Sequence, residues 1–283
     1  MGQLEAFWTY VYRDLFREND YNLIVYGTLA WLGVVFYGLC GLLMYVDLTG
    51  KPKWMLKFKT QPGINEPLDG KRLWNAVQVA TANHVFISFP YLMFLYHAHK
   101  LVGSSCLPED LPSFGQIILC FVVSLAVEEI GFYYTHRLSH WGLLYKYIHK
   151  KHHEWTAPVG VVSVYAHPLE HIICNLMPLT SGPVLVGAHH FTTVLWYTAA
   201  LSSTIIHHSG YHLPLLPSPE LHDYHHLKFR WNYGVIGLLD WFHGTDRQFR
   251  KTPQFKRHRV LLGMKPMTEI FKEEKEKRHN NYG

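Results

Sequence analysis

Residues 113–140 read SFGQIILCFVVSLAVEEIGFYYTHRLSH, and this stretch decides the fold. Its apolar part, about 113–135, is long enough at ~1.5 Å per residue to cross the ~30 Å hydrocarbon core of a bilayer. It runs directly into His136-Arg137-Leu138-Ser139-His140. Positions i and i+4 share a helix face. A membrane helix would therefore carry two imidazoles to its own aqueous end, and neutral imidazole is the commonest transition-metal ligand. Glu128 and Glu129 lie about two turns before His136, and Glu129, seven residues before it, shares its face. An acid at that depth is costly and usually functional.

Three further groups repeat the theme. They are His149-Lys150-Lys151-His152-His153, His208-Ser209-Gly210-Tyr211-His212 and His222-Asp223-Tyr224-His225-His226. As formulas the four groups read H-x3-H, H-x2-H-H, H-x3-H and H-x2-H-H. On helices each aims two or three rings at one point. Ten ligands exceed the needs of one metal and fit two metals with four to six positions each. A structural zinc site would be four-coordinate and rich in cysteine. No cysteine lies in these groups, and iron, manganese, copper and zinc all accept imidazole. Soluble di-iron bundles use glutamates instead. Carboxylates and other polar groups should orient the rings; the candidates are Glu129, Glu170, Asp223 and, less directly, His167. The remaining histidines, among them His84, His171, His207 and His258, read as structural or surface residues.

Composition supports a membrane protein with a sizeable polar part. Of 283 residues, 48% are apolar and only 17% charged, against roughly 25% charged in ordinary soluble domains. The net charge of +5 lies beside apolar segments rather than interleaved with aromatics, which argues against nucleic-acid binding and for anionic lipid or an acidic protein partner. Cys40, Cys106, Cys120 and Cys174 are widely spaced and read as buried free thiols. No cleavable leader is expected, because Arg13, Asp14, Arg17, Glu18 and Asp20 crowd the first twenty residues.

Residues 22–46 carry no charge and form a first span. A basic loop, 51–72, precedes a second apolar stretch at about 73–99, whose Asn75, Gln78, Asn83 and His84 should face protein. After the 113–135 span, residues 171–206 form a long apolar region broken by Pro178 and Ser181-Gly182-Pro183, read as a hairpin of two membrane helices or a re-entrant pair. The tail from Lys272 to Arg278 reads as a charged helix or coil. The expected fold is an all-α integral membrane protein of about four transmembrane helices, with a cytosolic helical cap holding a histidine-rich dimetal site. One domain covers 1–283, with its core at about 73–265 and a basic tail at 266–283. The segments 51–72, 136–157 and the region after 207 are all basic, so the positive-inside rule puts them, and all four histidine groups, in the cytosol.

The order of the four formulas resembles the sterol desaturase/fatty acid hydroxylase superfamily. The run Tyr145-Lys146-Tyr147-Ile148-His149-Lys150-Lys151-His152-His153-Glu154, then Ala157-Pro158 and Tyr165-Ala166-His167-Pro168-Leu169-Glu170, looks like its sterol C4-methyl oxidase branch. So do His208-Ser209-Gly210-Tyr211 and Gly244-Thr245-Asp246. The resemblance covers roughly 73–265. It implies a non-haem di-iron monooxygenase of the endoplasmic reticulum membrane, using dioxygen and electrons from NAD(P)H through cytochrome b5 and its reductase. The substrate implied is a sterol, oxidised at its C4-methyl group. The implied metal ligands are His136, His140, His149, His152, His153, His208, His212, His222, His225 and His226. Zinc can occupy the same rings in purified samples. No H-P-G-G haem motif is fused to the chain, so the electron donor would be separate. The same ligand shell would serve a fatty acyl or sphingolipid hydroxylase or desaturase, and a non-catalytic lipid- or metal-binding scaffold is the reading furthest from these.

Overall fold

Apolar runs that lack internal polar partners must satisfy their backbone internally, and in lipid a helix does so. In the computed structural model, which describes residues 2–272, three helices are long and apolar enough to cross a membrane. After a short α1 (Gln3–Thr9) these are α2 (Asn22–Thr49), α3 (Gly70–Leu101) and α4 (Phe114–Ser139). Their outward faces carry Val34, Leu42, Phe86, Phe94 and Val122, all exposed and suited to lipid. Ser113 caps α4 in a capping box with Gln116. No strand occurs among the described residues; one isolated bridge pairs Lys59 with Tyr211. The charged tail expected beyond Lys272 lies outside the described residues.

The broken apolar region 171–206 forms a hairpin. A π-helical segment, His171–Leu176, continues into α6 (Met177–Leu185), and α7 (His190–His208) returns; α5 (Gly142–Tyr147) precedes both. The first arm runs antiparallel to α4. Ser139 meets Cys174 at 3.3 Å near the polar end, Gly131 faces Pro178, and Gly182 faces Ser124 deeper in. The turn reaches the far end of the bundle, where the His190 amide donates to Ser105 O and the His189 ring contacts Leu107 O at 3.1 Å. Thus both arms traverse the bundle, although neither is long and apolar enough to stand with the three spans.

At the opposite end sits the cap: the 3-10 segments His149–Glu154 and Gly160–Val164, then α8 (Glu220–Lys228), α9 (Leu238–His243) and α10 (Pro253–Arg257). A main core unites cap and membrane helices, with Phe36, Cys40 and Leu43 of α2 packed against Trp155, Val161, Val162 and Ile205. The basic loop after α2 straps across this end. Its Thr60 amide donates to Gly210 O, Asn65 donates to Ala157 O, and buried Lys59 lies 3.5 Å from Asp47. Arg257 grips buried Glu220 with two guanidinium nitrogens, Nε at 2.8 Å and Nη2 at 3.0 Å, and so ties α10 to α8. The four cysteines are free and buried, as the sequence suggests.

Candidate metal centre

Nine of the ten grouped histidines converge, but not group by group. His136, His140, His149, His153 and His225 form one set, and His152, His208, His222 and His226 a second; within each set the nearest ligand nitrogens all lie within 4.8 Å of one another. Each H-x2-H-H box is divided. Its i and i+4 rings serve one set and its i+3 ring the other: His149 and His153 against His152, His222 and His226 against His225. This corrects the expectation that each group aims at a single point. In the α-helical box His222–His226 the i+3 ring stands about 60° around the axis from i, while in the 3-10 helix His149–Glu154 rings i and i+3 are eclipsed and diverge by about 6 Å of axial rise instead. That divergence lets one short segment feed two centres.

His212 is the exception. Helix α7 ends at His208, Ser209 caps it, and Gly210 turns the chain at φ +73. Beyond that turn the backbone is extended, with the His212 amide donating to Phe58 O. The i+4 relation assumed for His208 and His212 therefore never forms. The His212 ring instead has Nε2 at 2.9 Å from Arg259 O and Nδ1 at 3.7 Å from Glu220.

Backbone carbonyls set the tautomers. His136 Nδ1 donates to Tyr233 O at 2.8 Å, His208 Nδ1 to Thr204 O at 2.8 Å, His225 Nδ1 to Trp231 O at 2.7 Å, His226 Nδ1 to Trp155 O at 2.9 Å and His152 Nδ1 to Tyr165 O at 3.3 Å. A carbonyl only accepts, so each of these rings presents a bare Nε2 lone pair. Yet His152 Nε2 lies 3.3 Å from His208 Nε2, with no proton available to either. In the first set His140 Nε2 lies 2.8, 3.2 and 3.2 Å from the Nε2 atoms of His149, His153 and His225, and one proton cannot serve three. Lone pairs massed in a buried place repel unless a cation sits among them. The donor set thus fits a metal in each group, five nitrogens for one and four for the other.

Burial tunes the rings for this task. His149, His153, His222, His225 and His226 are all pushed well below the ordinary histidine pKa, chiefly by desolvation, and His152 falls to about 4 for the same reason. They stay neutral, the form that ligates. With the folded-state pKa depressed, the unfolded chain binds more protons below its own value of about 6.5, so acid favours unfolding. Metal-free protein should lose thermal stability steadily as pH falls from 7 to 5 and change little above 7. Thermal unfolding in detergent across that range checks the sign.

Of the proposed supporting groups, Glu170 is in place: it lies 2.7 Å from His149 Nδ1. Removing such a partner costs about 10–100-fold in metal affinity. Glu170→Ala should therefore weaken the five-histidine set by that much, measured by metal competition against a chelator. Glu129 acts one step further out. Its carboxylate accepts from the amides of Val235, Ile236 and Leu239, while Asp240 accepts from Tyr233 N and Gly234 N. Together they fix the loop whose Tyr233 carbonyl holds His136. Asp223 contacts no ligating ring; it accepts from Thr60 and Gln61 and so anchors the strap. His167 is likewise away from the centre, where its Nδ1 caps Pro168–Glu170 by accepting from Leu169 N.

An apolar cavity of about 390 Å³ ends at His136, His149, His152, His208 and His222. It runs inward among α2, α3, α4, α6 and α7 past Leu29, Leu92 and Leu179. This size is ordinary for a small-molecule pocket. The sequence reading set His171 and His207 aside as structural, yet both line it. His171 is tied to Ser88 at 2.9 Å, a pairing no local pattern announces.

A helical membrane protein with two buried polyhistidine sets, each able to hold a metal, beside an apolar cavity has the features of a lipid-modifying enzyme by class. The sequence profile described as fatty acid hydroxylase matches residues 121–245. Fatty acid hydroxylase domain-containing protein 2 of Homo sapiens is 45% identical over 254 residues, covering 90% of this chain and 76% of that one. A methylsterol monooxygenase-like protein of Dictyostelium discoideum is 30% identical over 275 residues, covering 92% and 96%. Very-long-chain aldehyde decarbonylase GL1-8 of Oryza sativa subsp. indica is 31% identical over 269 residues, covering 88% and 93%. The chain belongs to the fatty acid hydroxylase family, whose members are lipid-modifying oxidoreductases. No solved structure matches it.

Proposed function

We propose that this protein is a di-iron membrane monooxygenase that oxidises a sterol at its C4-methyl group. Dioxygen is the oxidant, and electrons come from NAD(P)H through cytochrome b5 and its reductase. The observation that carries the reading is the pair of neighbouring Nε2 sets, five of whose rings line an apolar cavity. Iron held there would supply the oxidising power to attack an unactivated C–H bond. The chain supplies the rest. Aliphatic side chains seat an apolar ring system, backbone carbonyls and Glu170 hold the imidazoles, and the strapped cap limits water at the centre. The C4-methyl oxidase-like runs at 145–154 and 165–170 and the methylsterol monooxygenase-like relative support a sterol over other lipids. The basic segments around the cap suit cytosolic exposure on the endoplasmic reticulum and the acidic surface of cytochrome b5.

A second reading, hydroxylation or desaturation of acyl or sphingolipid chains, is favoured by the family profile itself. One experiment separates them. Protein purified without oxygen and loaded with iron is given 4,4-dimethylsterol, or an acyl or ceramide substrate, with cytochrome b5, its reductase and NADH. Conversion of the sterol methyl to an alcohol or acid is expected. Turnover of the acyl or ceramide substrate alone would transfer the activity to the second reading. Turnover of none, with a cellular role untouched by His225→Ala, would leave a binding scaffold.

A further inference from the structure

Several polar side chains of the main cavity are already paired with one another. Tyr37 bonds Thr81 at 2.9 Å, Ser88 bonds His171 at 2.9 Å and Tyr91 bonds Thr180 at 2.8 Å. Glu128 differs. It projects from a membrane-spanning helix into the same cavity as five metal-centre histidines, and its carboxyl has no hydrogen bond or ion pair among the described residues. It lies eight residues before His136 on α4, about 12 Å of helix axis at ~1.5 Å per residue, too far for a shared metal.

A second cavity, of about 450 Å³, opens between α4, α7 and the cap beside Leu125, Trp196 and Val260. The two cavities have Glu128, Ala200, Thr204, His207 and Val235 in common, so Glu128 stands where they adjoin. His207 borders the same junction without forming an ion pair with Glu128, and its Nδ1 reaches only Ser203 Oγ, at 3.5 Å. A carboxyl and an imidazole facing one apolar space offer an acceptor and a second donor-or-acceptor. A hydroxyl, which both donates and accepts, matches that pair. A fatty acid's carboxylate would meet Glu128 as a like charge, and an ammonium would have to be buried at greater cost than a hydroxyl.

We propose that Glu128 is a substrate-binding residue that, with His207, hydrogen-bonds the hydroxyl of a neutral lipid alcohol whose apolar body fills the cavity. This deepens the oxygenase reading and rests on it for the role of the cavity. The unpartnered acid persists in the bilayer because a bound alcohol completes it.

The test uses the full chain, iron-loaded, in nanodiscs. Probes are a tritiated 4,4-dimethyl-3-hydroxysterol, its 3-O-methyl ether, and ceramide with its O-methylated counterpart. Wild type should bind the sterol alcohol about tenfold more tightly than the ether, the scale of one hydrogen bond to a charged group. Glu128→Leu should abolish that preference by losing affinity for the alcohol alone, raising KM and sparing kcat. Glu128→Gln, which still offers an acceptor, should keep most of it. Iron content should match wild type in both variants, which separates lost binding from a lost fold. Equal binding of alcohol and ether by wild type, or an unchanged ratio in Glu128→Leu, overturns the proposal. If ceramide shows the Glu128-dependent preference and the sterol does not, the inference stands and the sterol assignment falls. If the sterol shows it but is never oxidised, the inference stands and the oxygenase reading falls.

Discussion

His225→Gln should lower bound metal to half of wild type or less and cut turnover by more than about 100-fold, since loss of a mere supporting group already costs 10–100-fold. The His225 ring is fully buried and its Nε2 lies 3.1 Å from His153 and 3.2 Å from His140. Its Nδ1 is committed to Trp231 O, so it can turn neither away nor over. The matched change His212→Gln should leave metal content and turnover close to wild type. Glutamine can still donate to Arg259 O, the one short contact the His212 ring makes. Both residues belong to the histidine pattern of the sequence, so the pair sets pattern against geometry. Metal analysis of the two purified variants decides; equal losses would put His212 back among the ligands.

The largest effect on stability is expected at Gly182. A Cβ there would stand 2.3 Å from Ser124 Cα and 2.5 Å from its Oγ, so α4 and α6 would have to part. Overpacking a core usually costs about 1–3 kcal/mol, and a clash with backbone, which no rotamer relieves, exceeds that range. Small residues at membrane-helix contacts exist to allow this approach. Gly182→Ala should therefore lower the midpoint of thermal unfolding sharply, or prevent recovery of folded protein. Gly115→Ala, on α4 with nothing within 4 Å of the new Cβ, is the control and should be neutral or mildly stabilising. Equal behaviour of the two variants would show that the contact is loose.

Much of this molecule was legible in its sequence because its two strongest signals are local. Apolar runs mark the three candidate spans, and the H-x3-H and H-x2-H-H formulas mark ten rings of which nine converge. The hairpin at 171–206 was expected, but Pro178 and Ser181-Gly182-Pro183, read as its break, lie inside α6, and the turn falls at 186–189. The division of each box between two sets was not legible, because it depends on where the other rings come from: His136 from α4, His208 from α7. The departure of His212 has its own signal in the sequence. Ser209-Gly210 directly after His208 is a helix stop, and glycine past a helix end commonly takes the left-handed turn found here. Glu129 and Asp223 show the other limit. Both read as carboxylates that would orient the rings, and both are used, but on backbone amides and on a strap more than 100 residues away in sequence.

The interleaving of the two H-x2-H-H boxes has a consequence for descent. His136 and His140 serve one set alone and His208 the other alone, but each H-x2-H-H box serves both. A lineage relaxing its need for one ion could discard neither box and leave the other set whole. Relatives that abandon catalysis should then show decay across both boxes together, and an intermediate with a single intact centre should be rare among them.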